Sequence, residues 1–243
     1  MRILFKTNYR QDLNLAKHGG HHFWYGLLIL ILFAAPLMLD GYYIGEATRV
    51  LIYAMAGLGL MVLTGFTGQA SLGHAAFMAI GAYTNAWFLA HGFSSFVALP
   101  MAALLSMIGG LLVAIPAARM SGIYLAIATL AFAIIVEDFA GHLTSITGGN
   151  RGMMVDVPTL FGYQIWQSWE LYLFVLSVLI VATLAVLNIL RSPLGRAMIA
   201  VRDSEVSSQA LGVNPMKIKV FAFTVSAAIT GLAGAFLAHY MLF

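Results

Sequence analysis

Apolar residues occur along this chain of 243 residues in seven long runs, separated by shorter polar segments. A helix that crosses a bilayer needs roughly 20 predominantly apolar residues, and most of these runs approach that length. The pattern therefore predicts an all-α integral membrane protein, a polytopic helix bundle of about seven spans. The runs cover residues 23–39, 50–64, 74–90, 96–116, 121–140, 170–190 and 219–243.

The pattern is interrupted at residues 65–83, where glycines and polar residues stand among the apolar ones. Lipid cannot hydrogen-bond a loose backbone, so irregular structure at membrane depth must be surrounded by protein or reached by water. Glycine-interrupted segments of this kind are typical of transport pathways. We therefore expect a broken or re-entrant segment near residues 65–74 with these candidate substrate-pathway residues: Thr67, Gln69, Ser71, Gly73 and His74.

Helix packing is the alternative explanation for the glycines, because small residues let membrane helices approach closely. Packing does not account for Gln69 and His74, whose burial costs free energy unless they have partners. For His74 alone, a hydrogen-bonded structural role is favoured over contact with substrate. In the last run a small-residue stripe predicts a packing face without chemistry: Ala227, Gly231 and Ala235.

Composition supports the membrane assignment, because 61% of the residues are hydrophobic and only 9% are charged, whereas soluble domains carry about a quarter charged residues. The absence of cysteine removes disulfides and thiolate metal sites from consideration. Glu137 and Asp138 stand near the outer end of the fifth run and point about 100° apart on a helix; an interfacial pair is the favoured interpretation. His18, His21 and His22 are interpreted as part of a flexible tail without metal.

The basic residues predict the orientation, since cytoplasmic loops carry an excess of Lys and Arg. With the N-terminus in the cytoplasm, ten of the twelve basic residues lie inside and only Arg49 and Arg151 lie outside. We therefore interpret the net charge of +3 as a topology signal and predict no nucleic-acid partner. Residues 1–22 form the predicted cytoplasmic tail, and residues 23–243 form the transmembrane domain.

The inside loop, residues 191–218, is the most polar part of that domain. Asp203 or Ser204 can cap a short helix that runs to about Leu211, and Gly212 stands where a left-handed C-terminal cap is expected. A short polar helix with nothing in its own chain to dock on indicates a partner protein. The outside loop, residues 141–169, is the other long connection.

Motifs for hydrolysis are absent from the sequence, which has no G-x-x-x-x-G-K-[ST], G-x-S-x-G or H-E-x-x-H pattern. We therefore expect a transport component with no catalytic residues, not an enzyme.

Three blocks of sequence resemble the membrane-spanning permease subunits of ABC importers for branched-chain amino acids, specifically the M-type member of the usual pair. The first block runs from Gly65 to Tyr83 and begins Gly-Phe-Thr-Gly-Gln-Ala-Ser-Leu-Gly-His-Ala-Ala-Phe. The second runs from Arg119 to Gly152, and the third from Ser192 to Ala235. The third block looks like the cytoplasmic loop that inserts into ATPase subunits, with these implied coupling residues: Arg202, Asp203, Glu205, Ala210, Leu211 and Gly212.

The resemblance implies an inner-membrane subunit of a bacterial importer that works with a second permease, two ATP-binding cassette subunits and a periplasmic or lipid-anchored substrate-binding protein. ATP and Mg²⁺ are then used by the partner ATPases, and this chain binds no cofactor. Members of the family continue through further spans, so the chain is expected to be incomplete at its C-terminus.

Two departures from the family pattern bear on the substrate. A glutamate that is usual in the family is replaced here by Ile134, and the outer loop reads Gly-Gly-Asn-Arg-Gly at residues 148–152. Import of urea or short amides therefore stays open as an alternative. An ion-coupled secondary transporter is a second alternative, but it needs an ionisable group near the midplane, and only His74 stands there.

Overall fold

The computed structural model describes residues 19–120, 122–155, 157–160 and 163–241, and helices dominate it. The second helix continues as a π-helical turn at Met61–Gly65, a 3₁₀ turn covers Gly149–Arg151, and a small hairpin pairs β1 (Thr159–Leu160) with β2 (Tyr163–Gln164). The helices are α1 (Gly19–Met38), α2 (Gly41–Leu60), α3 (His74–Ala90), α4 (Ser95–Ala117), α5 (Ile123–His142), α6 (Thr144–Thr147), α7 (Ser168–Arg191), α8 (Pro193–Asp203), α9 (Glu205–Ala210) and α10 (Pro215–Met241).

Five of these elements are long and apolar enough to cross a membrane: Gly41–Gly65, Ser95–Ala117, Ile123–His142, Ser168–Arg191 and Pro215–Met241. The two remaining predicted runs form Phe23–Met38, a shorter apolar helix, and α3, which has 17 residues. The fold is therefore that of an all-α membrane protein with five candidate spans in the described part of the chain. The total of seven spans stays a prediction.

The predicted N-terminal tail lies largely outside the described residues. Its last four residues are an exception, because α1 already begins at Gly19 and includes His21 and His22. The expectation that these two histidines belong to a flexible tail is therefore wrong. Their position is explained by the apolar run that follows at residues 23–38, since a helix that has formed there extends by one turn at little cost once it has been nucleated.

The centre of the bundle is α10, which packs against α2, α3 and α4. Of its most apolar stretch 61% is buried, compared with 11% for α5. Small residues explain this central position, since a Cβ atom at Gly81 or Gly234 would overlap the backbone of Gly231 or Met78 respectively. The stripe predicted as a packing face is confirmed, because its three residues are buried.

The two ends of the bundle are marked by different loops. At one end, called here the α8 end, α8 contacts the π-helical turn that follows α2, and α9 contacts the first turns of α10. At the other, called the hairpin end, the backbone N–H of Thr159 donates to Ser95 Oγ at the start of α4, at 3.0 Å. Successive long helices run between these two ends in alternating directions.

The polar loop at residues 191–218 is more ordered than the sequence indicated. Its predicted helix is present as α9, and Ser204 is the N-cap, with its Oγ accepting from the backbone N–H of Ser207 at 3.2 Å. Gly212 has φ +82°, as expected for a left-handed cap. The sequence interpretation missed α8, although Pro193 at its first helical turn is a typical helix start.

Candidate functional site

The break predicted near residues 65–74 lies between α2 and α3. It begins as the π-helical turn Met61–Gly65, and residues 68–73 are not helical. Gly68 has φ +68°, a conformation that glycine adopts without steric cost. The broken segment therefore starts at the α8 end and leads back into the bundle.

Polar side chains in the break bond mainly to their own segment. Thr67 Oγ1 donates to the carbonyl oxygen of Leu63 at 2.6 Å and accepts from Gln69 Nε2 at 3.0 Å. Thr67 and Gln69 are both 3% exposed. Gln69 Oε1 has no hydrogen-bond partner among the described residues, and an unsatisfied buried acceptor costs about 1–3 kcal/mol. It is a free acceptor inside the candidate pathway segment.

His74 bonds to protein through both ring nitrogens. Its Nε2 lies 2.8 Å from Ser226 Oγ, which donates its own hydrogen to the carbonyl oxygen of Gly59 at 2.6 Å. Ser226 must therefore accept from the Nε2–H of His74. In a neutral imidazole Nδ1 then accepts from the hydroxyl of Ser71 at 3.1 Å. The imidazole joins α3 to α10, and through Ser226 to α2, as the favoured structural interpretation of His74 expected.

The end of the break packs tightly on α5. The backbone N–H of Leu72 donates to Thr129 Oγ1 at 3.0 Å, and Gly73 lies so close to the Thr129 carbonyl that a Cβ atom there would overlap it. The structure thus brings the five predicted pathway residues together in one segment, but protein covers them in this conformation.

The nearest large cavity begins directly after the break. It has a volume of about 490 Å³ and lies between α3 and α5, extending from Ala75 and Ala76 toward the glycines of the loop at the hairpin end, Gly149 and Gly152. A second cavity of about 380 Å³ shares three lining residues with it and is otherwise apolar. Both cavities lie along α3, so a molecule in either of them would lie beside the helix that follows the break.

Glu137 was not among the predicted pathway residues, yet it lines the larger cavity. The neighbouring carboxylate, Asp138, points elsewhere and lies 3.3 Å from His142 Nδ1 on the exposed side of α5. Both residues are exposed near the end of α5, and their interpretation as an interfacial pair stays a prediction. The sequence feature that could have identified Glu137 as a cavity residue is its position within an apolar run, since an ionisable residue inside a spanning helix indicates a functional site by default.

Arg202 connects α8 to the break. Its Nη1 donates to the carbonyl oxygen of Gly65 at 2.9 Å, and Asp203 Oδ1 accepts from its Nε and Nη2 at 3.2 and 3.1 Å. A Cβ atom at Gly68 would come within 3.0 Å of Arg202 Cγ. Two groups of predicted residues, the coupling loop and the broken segment, therefore meet at one side chain.

Glu205 anchors α9 to α10. Its Oε1 lies 2.5 Å from Lys219 Nζ, and Lys219 is 4% exposed although it carries a charge. The expectation that the short helix has nothing in its own chain to dock on is therefore wrong. The tip of α9 remains bare: Val206 is 78% exposed and Leu211, just after the helix, is 82% exposed.

The other predicted coupling residues, Ala210 and Gly212, are exposed at the same tip. Metal binding has no support in the part of the chain that the structure describes, where no three His, Cys, Asp or Glu side chains come together.

Comparison with known proteins identifies the family of the chain. Residues 42–242 match the family model described as branched-chain amino acid transport system / permease component. The chain is 38% identical over 237 residues to the high-affinity branched-chain amino acid transport system permease protein LivM of Salmonella typhimurium, and 37% identical to LivM of Escherichia coli K12. Each alignment covers 87% of this chain and 56% of the relative.

A more distant relative is the probable branched-chain amino acid transport permease protein LivM of Methanocaldococcus jannaschii, which is 25% identical over 144 residues, 59% of this chain and 42% of the relative. No solved structure matches the chain. The chain thus spans little more than half the length of the two bacterial relatives, and the family model covers most of it. It belongs to the permease-component family of branched-chain amino acid transport systems.

Proposed function

We propose that this chain is a membrane-spanning permease subunit of an ABC importer that moves branched-chain or other small amino acids across the bacterial inner membrane. The observation that carries the proposal is the hydrogen bond from Arg202 to the carbonyl oxygen of Gly65. It gives a loop with a bare docking tip direct contact with the broken segment in the bundle.

In this proposal the α8 end faces the cytoplasm and the hairpin end faces the outside, as the distribution of basic residues favours. Two ATP-binding cassette subunits hydrolyse MgATP and hold the exposed tip of α9, where Val206 and Leu211 offer apolar surface. A second permease subunit completes the membrane part, and a periplasmic or lipid-anchored binding protein delivers the substrate at the hairpin end.

Closure of the ATPases displaces α9, and the Lys219–Glu205 ion pair and the Arg202 hydrogen bond carry that displacement to α10 and to the π-helical turn. Gly65 and Gly68 lie where the chain is least regular, so small movements there need not unwind a complete helix. Each nucleotide state thereby favours one of two arrangements of the bundle, inward-facing or outward-facing.

Two observations favour this proposal over its rivals. His74 bonds to protein at both ring nitrogens, which leaves no free imidazole nitrogen for the coupling site of an ion-driven transporter. The apolar lining of the smaller cavity suits an aliphatic side chain better than it suits urea.

The test is transport by the full-length permease reconstituted in liposomes with its second permease, ATPase subunits and binding protein. We expect uptake of labelled leucine that needs ATP at the ATPase side, persists when ionophores dissipate all ion gradients, and is not inhibited by excess urea. Uptake that is independent of ATP and stops with the ionophores would instead establish a secondary transporter.

A further inference from the structure

We infer that Glu137, in the cavity between α3 and α5, binds the ammonium group of an amino acid during its passage through the membrane. The inference rests on the proposed function and adds a binding site to it. It follows from the position of one carboxylate, the lining of the cavity around it, and the nature of the cavity beside it.

The position of Glu137 needs an explanation, because α5 is otherwise strongly apolar. Glu137 is an exposed residue of α5 that lies more than a turn inside the end of a candidate span, Ile123–His142. Carboxylates within spans face a cavity or a partner because lipid does not solvate them. No ion pair joins Glu137 to any cation in the part of the chain that the structure describes. Its charge is thus available to a ligand.

Small residues give the cavity its volume. Glu137 is the single charged residue in the lining, and Tyr83 and Val136 are its only other large side chains among the described residues; the rest are alanine and glycine, namely Ala75, Ala76, Ala79, Ala133, Ala140, Gly141, Gly149 and Gly152. Such a lining leaves one polar anchor in a roomy space, which is typical of small-molecule sites.

The adjoining cavity indicates what the rest of the ligand resembles. It shares Tyr83, Val136 and Ala140 with the first cavity, and its other lining residues include Ile80, Phe139 and further apolar side chains. A carboxylate beside an aliphatic and aromatic surface complements a molecule with an ammonium group at one end and a branched hydrocarbon at the other. Neutral aliphatic amino acids have this form.

The ammonium group of such a ligand would donate a charge-assisted hydrogen bond to the Glu137 carboxylate while its hydrocarbon lies in the adjoining cavity. Charge-assisted hydrogen bonds are about twice as strong as those between neutral groups. The bond forms only while the substrate is beside α3, so Glu137 provides a transient binding site during translocation. Removal of the charge should therefore weaken the binding of leucine without changing the bundle.

The experiment uses the absence of cysteine. In the reconstituted transporter without binding protein, Ala79→Cys places one thiol in the wall of the cavity, and the rate of its modification by a small neutral thiol reagent is measured. We expect leucine to slow the modification, and we expect 4-methylpentanoate, which has the same hydrocarbon and carboxylate but no ammonium group, not to slow it.

In the Ala79→Cys background, Glu137→Gln should raise the leucine concentration needed for protection about tenfold or more, and Glu137→Asp should raise it less. Asp138→Asn is the matched control, because it removes the adjacent carboxylate from outside the cavity and should leave protection unchanged. Membrane abundance of each variant establishes that it has folded.

Equal protection by leucine with Glu137 and with Gln at that position would overturn the inference, as would equal protection by 4-methylpentanoate. ATP-driven leucine uptake by the parent protein is measured in parallel, so a failure of the proposed function is recognised separately. A parent that imports leucine but shows no leucine protection at residue 79 contradicts the inference alone.

Discussion

Arg202 donates a hydrogen bond to the carbonyl oxygen of Gly65, a residue 137 positions earlier in the sequence. The acceptor belongs to the π-helical turn at the end of α2, where the regular helical bonding pattern changes and carbonyl groups depend on other donors. Asp203 holds the guanidinium from the other side. The side chain is thereby fixed between the loop and the break.

We predict that Arg202→Gln uncouples ATP hydrolysis from transport. Glutamine is too short to reach the Gly65 carbonyl, so a bond that contributes about 1 kcal/mol is lost, and coupling should fall at least about fivefold. The measurement is the ratio of leucine imported to ATP hydrolysed in proteoliposomes.

Lys217→Gln is the control for this prediction, because it removes an exposed positive charge from the same loop without touching the break. An unchanged transport-to-hydrolysis ratio in Arg202→Gln, or an equal fall in both variants, would contradict the role assigned to Arg202.

Single residues differed in how far the sequence could predict them. Gln69 and His74 were recognisable, because polar groups inside apolar runs need partners, but the actual partners could not be inferred. Ser226 stands 152 positions after His74, and such a distant partner follows only from the packing of α3 on α10. Glu137 was not predicted as a pathway residue, because sequence position alone does not show that it lines a cavity. Its interpretation as one half of an interfacial pair stays a prediction.

Among the helices, α3 and α10 cross where two glycine backbones touch. A Cβ atom at Gly81 would overlap the carbonyl of Gly231, whereas one at Gly57 in α2 would meet no atom within 4 Å. We predict that Gly81→Ala destabilises the protein by roughly 1–3 kcal/mol through overpacking, and that Gly57→Ala has little effect. Thermal unfolding in detergent measures both, and equal midpoints would refute the close crossing.

Substitutions at two other glycines distinguish the effect of local backbone strain from the loss of ATPase docking. Gly212 after α9 and Gly92 between α3 and α4 have nearly equal φ values, +82° and +81°, and open space around them. A side chain at either should cost roughly 1 kcal/mol. We predict that only Gly212→Val weakens co-purification with the ATPase subunits, because only Gly212 lies at the tip of α9.

Gly92→Val should retain the ATPase subunits, since it lies at the hairpin end. Loss of the subunits in both variants would show that the strain acts on the whole fold, and their full retention in both would remove α9 from the docking site.

Helices were predictable where an apolar run is continuous, as at residues 74–90, which became α3 with the same bounds. The runs that became α4, α5, α7 and α10 agree with the structure to within a few residues, because hydrophobicity alone decides them. The amphipathic helix α8 was missed, since its apolar face packs on other parts of the loop and on α7 and makes no continuous apolar run. The polar composition of residues 191–218 also made this segment appear to be mostly irregular loop.

At the scale of the whole molecule, the alternating helices predict that the two ends lie on opposite sides of the membrane. In cells that lack the ATPase subunits, we expect an impermeant thiol reagent to label Met154→Cys while the cells are intact, and to label Leu211→Cys only after lysis. Both positions are highly exposed, 93% and 82% respectively, so accessibility within the protein does not limit either reaction. Labelling of Leu211→Cys in intact cells would reverse the proposed orientation.

Because α10 lies at the centre of the bundle but near the end of the chain, the earlier helices are synthesised before their main packing partner. The helices that pack on α10 leave the ribosome before it, and His74 must wait for Ser226, which follows 152 residues later. At about 5–20 residues per second this takes roughly 8 to 30 seconds. During that interval the polar groups of the break are in the insertion machinery or the bilayer without their final partners. The nascent chain therefore needs a chaperone or a hydrated site until α10 has been synthesised.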